Sequence, residues 1–487
     1  MSLAGILLGL GLLIWLSYRG WSVLVLAPVA ALVAALGSGQ PLLAHWTLTF
    51  MLAAAGFVAQ FFPLFLLGAI FGKMMDDSGC VSTIADFMTR RLGPQHAVLA
   101  VVMAGALVTY GGVSLFVAFF VLAPMAHALF RAGNVPSRLM PAALALGTST
   151  FTMTALPGSP AIQNAIPMPF FGTTAFAAPG LGLIAAVIML GFGLWWLGRA
   201  QGAARRAGEG YASAAAGETP HRGAAEDALV RERASTSGSF DPSEAVRGGQ
   251  GLAQAPGIVV ALLPLGVVVL VNLLMTTVVF PRMDLGYLAE PRFGGLALSD
   301  VGGVWSVLVA LAVAIVLLGV LNRARLTSMK ATIAAGANAS VLPVMSVASL
   351  VGFGSVVAAM PAFAAVREWV LGIGGGPLVS LAVSTNILAA LTGSASGGLT
   401  IALEALGHTY MQLAQQTGVD PSLMHRVAVI GAGTLDSLPH NGAVVTLLAV
   451  CGSTHRASYR DIVMVAIVGA LLALVVVIVL GATFGSF

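Results

Sequence analysis

The run IVMVAIVGALLALVVVIVLG, from Ile462 to Gly481, holds no charged side chain. Twenty such residues, at about 1.5 Å each, cover the about 30 Å of a bilayer's hydrocarbon core. Inside that core no water meets the backbone, so a chain built from such runs must close its hydrogen bonds within helices. Composition agrees: 58% of the chain is hydrophobic and 8% charged, against about 25% charged in soluble domains. The chain reads as an all-α polytopic membrane protein. A transmembrane β-barrel would alternate polar and apolar residues along each strand, and these runs do not.

Continuous apolar segments fall at 3–17, 21–37, 47–72, 178–198, 256–280, 301–321, 331–365 and 462–481. Four more, at 96–130, 139–170, 377–407 and 422–450, are apolar but interrupted. The N-terminus lacks a basic start and a small-residue cleavage site, so it reads as a retained first span. Cys80 and Cys451 have no cysteine neighbours in sequence, so neither a disulfide framework nor a zinc site follows. The net charge of +4 carries no expectation of nucleic-acid binding. It reflects loop arginines that set orientation. Residues 199–255 are rich in Gly, Ala, Ser and charge without periodicity, and read as a flexible linker.

Basic residues gather on the cytoplasmic side of membrane proteins. If 96–130 and 377–407 are re-entrant hairpins while 139–170 and 422–450 cross fully, 18 of the 22 Lys and Arg share one face. Treating each hairpin as a single span destroys that asymmetry. The charges therefore favour hairpins, a cytoplasmic linker and both termini outside.

The halves also resemble each other. YGGVSLF from Tyr110 and SGGLTIA from Ser396 each precede a Gly-containing turn, a Gly-Thr stretch and a Leu-Pro pair, in the same order. Residues 1–198 and 256–487 thus read as two repeats, each of three spans, a hairpin, a broken helix and one span. Their orientations are opposite, an arrangement common in secondary transporters. Gly147 and Pro157 interrupt the first broken segment, and Ser159-Pro160 reads as cap and first residue of a resumed helix. Gly431, Gly433 and Pro439 interrupt the second, and Asn441 reads as its new cap. Each resumed helix would turn its positive end toward an anion. The hairpin tips TYGGVS (109–114) and LTGSASGGLT (391–400) add glycines and hydroxyls to the same region. Small residues that merely allow tight helix packing would give a similar composition.

Glu404, Asp436 and, near a boundary, Arg426 are the charged residues inside these segments. Intramembrane ionisable groups are functional candidates. Asp436 and His440 are the candidates for proton coupling, with helix capping and a structural hydrogen bond as the alternatives. Glu404 reads as a boundary residue. His408 and His425 read as lying near the outer surface.

The segments TLDSLPHNGAVVTLLAVCGSTHRASYRDI and GTSTFTMTALPGSPAIQN resemble the two signature regions of the gluconate:proton symporter (GntP-type) permeases, within the wider ion transporter superfamily. That resemblance implies an elevator-type, dimeric carrier without metal or cofactor, whose substrate is a small organic anion such as gluconate or 3-hydroxybutyrate. It carries substrate contact onto Thr148, Ser149, Thr150, Gly158 and Ser159, and onto Thr434, Asp436, Ser437, His440 and Asn441. The tip residues Gly111, Gly112, Ser114, Ser394, Ser396 and Gly397 complete the set. Sodium-coupled relatives use Ser-Asn-Thr tips, which this chain lacks, so the proton is the expected coupling ion and sodium the alternative. A channel and an intramembrane aspartyl protease are the other classes. The protease needs two carboxylates in one site, and only Glu404 could join Asp436.

Overall fold

A computed structural model of the chain describes residues 2–18, 21–211, 255–439 and 441–487. Helices α1 (Ser2–Tyr18) and α2 (Val23–Gly37) pack as a pair. They approach closely because glycines meet: a methyl group on Gly5 would lie 2.8 Å from the carbonyl carbon of Gly37. Next come the long α3 (Leu42–Asp77), the amphipathic α4 (Cys80–Leu92), and α5 (Ala97–Tyr110), which leaves α4 at a bend of 104°. A tight turn joins α5 to α6 (Leu115–Ala132). The first interrupted segment resolves into α7 (Met140–Thr148), α8 (Phe151–Thr154), α9 (Ile162–Ala165) and α10 (Pro167–Phe171). It is followed by α11 (Pro179–Arg206).

The second half follows the same order. It has α12 (Ile258–Arg282), α13 (Leu298–Leu321), α14 (Met329–Ala358), the short α15 (Phe363–Leu371), and the helix–turn–helix of α16 (Gly376–Thr392) and α17 (Ala395–Thr417). The broken segment follows as α18 (Pro421–Ala432), a single turn at Leu435–Ser437, and α19 (Gly442–Val450). The chain closes with α20 (His455–Phe484). Among the described residues, seven helices (α3, α6, α11, α12, α13, α14 and α20) are long and apolar enough to cross a membrane.

Packing partners recur between the halves. α3 runs along α14, α2 packs on α14, and α13 packs on α3. α5 packs on α7 as α16 packs on α18, and the closing helices α11 and α20 pack together. Each hairpin also crosses to the other half: α6 meets α19, and α17 meets α10.

Several boundaries differ from the sequence reading. The span at 331–365 ends at Ala358, before Pro361, and resumes as a separate helix. α11 continues past residue 198 to Arg206, and the chain beyond it is anchored. Arg138 donates to both carboxylate oxygens of Glu209, at 2.7 and 3.1 Å, and to Asp461 at 2.7 Å. Trp196 donates to the other oxygen of Asp461, and Tyr211 contacts His127 at 2.8 Å. Residues 212–254 of the linker reading lie outside the described residues. Gly147 is not a left-handed terminator, because it sits inside α7. Its task is close approach, since a Cβ there would lie 2.4 Å from the carbonyl oxygen of Val102 on α5.

A backbone oxygen cannot yield as a flexible side chain can. Gly147→Val should therefore lower stability by about 1–3 kcal/mol or prevent folding, read as the melting temperature in detergent. Gly191→Val, where nothing lies within 4 Å, should change it by under about 0.5 kcal/mol.

Candidate functional site

Each hairpin tip meets the break of its own half. At the first, Thr109 on α5 donates to the carbonyl of Gly105, with Gly147 O at 3.3 Å and Thr152 Oγ1 at 3.2 Å. The Tyr110 hydroxyl donates to the carbonyl of Pro157 at 2.8 Å. Gly112 adopts a φ of +101°, which only glycine takes easily, and Pro160 packs where its Cβ would stand. Ser114 caps α6 by accepting from the Phe116 N–H. At the second tip, Ser394 caps α17 by accepting from the Gly397 N–H at 3.2 Å. Asn441 donates to the carbonyl of Gly393 at 2.8 Å. The breaks touch each other as well, because a Cβ on Gly433 would lie 2.3 Å from the methyl of Thr154.

A cavity of about 100 Å³ opens between the first tip, the first break, α3 and α14. Gly72, Thr109, Ser114, Pro160, Gln163 and Ser340 are among its lining residues. Of the residues expected to bind solute, Gly112 and Ser114 line it. The others hold the surrounding backbone. Gly111 packs on Leu265, and Gly397 packs on Leu350. Thr148, Thr150 and Thr434 donate back to the carbonyls four residues earlier, and Ser149 pairs with Thr148. Gly158 donates to the carbonyl of Ala175 at a φ of +79°, and Ser396 pairs with Ser394. Ser437 donates to half-buried Asp436 at 3.1 Å. His440 lies outside the described residues. Glu404 and His408 are exposed on α17.

The expected positive helix ends are not free. Ser159 does not start a helix: its Oγ accepts from the Ala161 N–H, and the helix begins at Ile162 and continues through Ile166 into α10. Asn441 does cap α19, accepting from Ala443 at 2.6 Å and Val444 at 3.4 Å. That cap satisfies donors an anion would otherwise use.

The polar centre the sequence did not reveal is on α18. His425 and Arg426 are fully buried, not near a surface. Hydropathy put them at the mouth of a span, but α18 packs inward against α10 and α16. Arg426 donates to the carbonyl of Ala177 through Nε at 3.2 Å and Nη2 at 2.7 Å. Its Nη1 donates to the carbonyl of Thr154 at 3.2 Å and to Asn164 Oδ1 at 3.4 Å. Asn164 gives its amide hydrogens to the carbonyls of Ser159 and Ala175, so its oxygen must accept. His425 Nε2, 3.2 Å away, therefore carries the proton, and Nδ1 accepts from Thr173 at 2.6 Å. One α-helical turn of the second half thereby pins the irregular chain of the first. Gln163 was missed because an amide in an apolar run has no spacing signature.

Residues 1–170 match the sequence model of the family described as GntP family permease. The chain is 40% identical over 468 residues to the uncharacterized transporter YxjC of Bacillus subtilis (strain 168), covering 95% of each. Over 174 residues, 34% of this chain and 37% of the relative, it is 30% identical to the high-affinity gluconate transporter of Escherichia coli (strain K12). Its structure is similar to the YdaH transporter of Alcanivorax borkumensis, with a TM-score of 0.51 over 91% of this chain and 89% of that one, at 17% identity. That likeness is one of fold.

The two roles of Asn441 separate by substitution. Asn441→Ala should cost about 1–2 kcal/mol. Asn441→Ser keeps an accepting oxygen for the cap, loses the tether to Gly393, and should cost less. Melting temperatures of the three proteins in detergent check the order.

Proposed function

Because this chain belongs to the GntP permease family of membrane transporters, we propose that it carries a small hydroxy monocarboxylate, of the gluconate or 3-hydroxybutyrate kind, in symport with protons. The observation that carries this reading is the cavity in which a hairpin tip and a broken segment meet. Irregular backbone at membrane depth persists where it is buried in protein or lines such a space. Thr109, Ser114, Gln163 and Ser340 offer hydroxyls and an amide suited to a hydroxylated solute. The gluconate transporter of E. coli, similar over part of the chain, supports a sugar acid as substrate. No cluster of arginines lines the cavity, which favours one carboxylate over two or three.

The recurring packing order supports two inverted repeats, 1–198 and 256–487. In this reading α1–α3 and α12–α14 form a fixed scaffold and dimer surface. The hairpins and broken helices move against it as an elevator, with the described carboxylate of the breaks, Asp436, taking the proton. His440 is its expected partner. Arginine-rich loops and the linker face the cytoplasm of the inner membrane.

Full-length protein in liposomes should accumulate labelled gluconate or 3-hydroxybutyrate when the outside is made acidic. Uptake that ignores pH and requires sodium would replace the proton with sodium. Asp436→Asn should abolish accumulation while leaving exchange of internal for external solute, and accumulation at the wild-type level would remove Asp436 from coupling.

A further inference from the structure

Two cations are buried among the described residues, and the protein treats them differently. Lys73 pairs with Asp77 at 2.8 Å and with Asp76 at 3.7 Å, and Asp77 accepts from Thr332. Arg426 has no carboxylate within ion-pair distance among the described residues. Its partners are two backbone carbonyls and one amide oxygen. Hydrogen bonds to neutral oxygens hold a guanidinium in place but leave its full charge uncancelled. A buried charge kept that way is costly, and membrane proteins retain such groups at solute pathways.

The position of this charge gives it a use. Met153 and Gln163 line the cavity, and Arg426 holds their immediate chain neighbours, Thr154 and Asn164. The guanidinium thus lies one layer of backbone behind the cavity wall. Of the two helix starts at the breaks, one is displaced to Ile162 with the Ala161 N–H already taken by Ser159, and the other is capped by Asn441. We infer that Arg426 is the fixed positive charge of the anion site: it selects a carboxylate through the wall of the first break without touching it. This rests on the anion reading above and adds the source of selectivity. Arg426 is a positioning and electrostatic residue, and the solute's direct contacts remain the hydroxyls and amide of the cavity. Because the charge is built into the chain, charge balance at the site needs no metal cation beside the solute.

The experiment compares an acid with its neutral isostere, 3-hydroxybutyrate against 3-hydroxybutyramide, and gluconate against gluconamide. Binding is read by thermal shift on the purified full chain and by competition for uptake in liposomes. The wild type should prefer each acid over its amide by about tenfold or more, the value of a charge several ångströms away in a partly screened interior. Arg426→Lys should keep most of that preference. Arg426→Gln should lose it, with acid binding falling about tenfold further than amide binding. A brace alone would lower melting temperature and weaken acid and amide alike. An acid preference that survives intact in Arg426→Gln would overturn the assignment and leave the transport reading standing. If the wild type binds no carboxylate at all, the anion reading falls and takes this inference with it. Should Arg426→Gln not fold, the wild-type ratio still tests the inference: equal binding of acid and amide overturns it.

Discussion

An unpaired backbone N–H or C=O in hydrocarbon costs several kcal/mol, and this chain leaves the helix twice in the middle of apolar sequence. Everything around those two breaks follows from that cost. The carbonyls of Thr154 and Ala177 are taken by Arg426, and those of Ser159 and Ala175 by Asn164. The carbonyl of Gly393 and the first amides of α19 are taken by Asn441. Hydroxyls of Ser114 and Ser394 cap the hairpin legs. Long-range side chains thus do what the i to i+4 ladder does elsewhere, and they tie the two halves together.

That wiring separates the molecule into parts of different character. α3 and α14 run together along their length, so closely that a Cβ on Gly336 would meet the Ile70 backbone at 2.7 Å. Around the breaks the packing is made of short pieces, glycine contacts and side-chain hydrogen bonds. The cavity lies between these two kinds of structure, with α3 and α14 on one side and the first tip and break on the other. A solute held there would touch both a continuous helix pair and an irregular segment. The Arg138, Glu209 and Asp461 contacts fasten the end of α11 to the start of α7 and to α20.

Hydropathy exposed the long helices because a bilayer demands about 20 apolar residues whatever the tertiary fold. The Asn441 cap was readable for a local reason: Asn before a small-residue helix start is a backbone preference that needs no partner elsewhere. Ser159-Pro160 carried the same local signal and failed. There the Ser159 hydroxyl turns to the Ala161 N–H and its carbonyl is held by Asn164, delaying the helix to Ile162. Gly147 looked like a terminator but answers to a helix 45 residues away in sequence, at Val102. Arg426 was hidden for the same reason. Sequence shows a charge near the start of a span, and only the fold shows Ala177, Thr154 and Asn164 gathered around it.

The central claim is that the first tip and first break, braced from behind by Arg426 of the second half, build one anion site against the α3–α14 pair. An experimental density map of the full-length protein with gluconate or 3-hydroxybutyrate bound tests it most directly. The account predicts solute density enclosed by Gly112–Ser114, Pro160–Gln163 and Ser340, with the Arg426 guanidinium still on the carbonyls of Thr154 and Ala177. Solute density on the far side of the second hairpin, with this cavity filled by side chains, would contradict it.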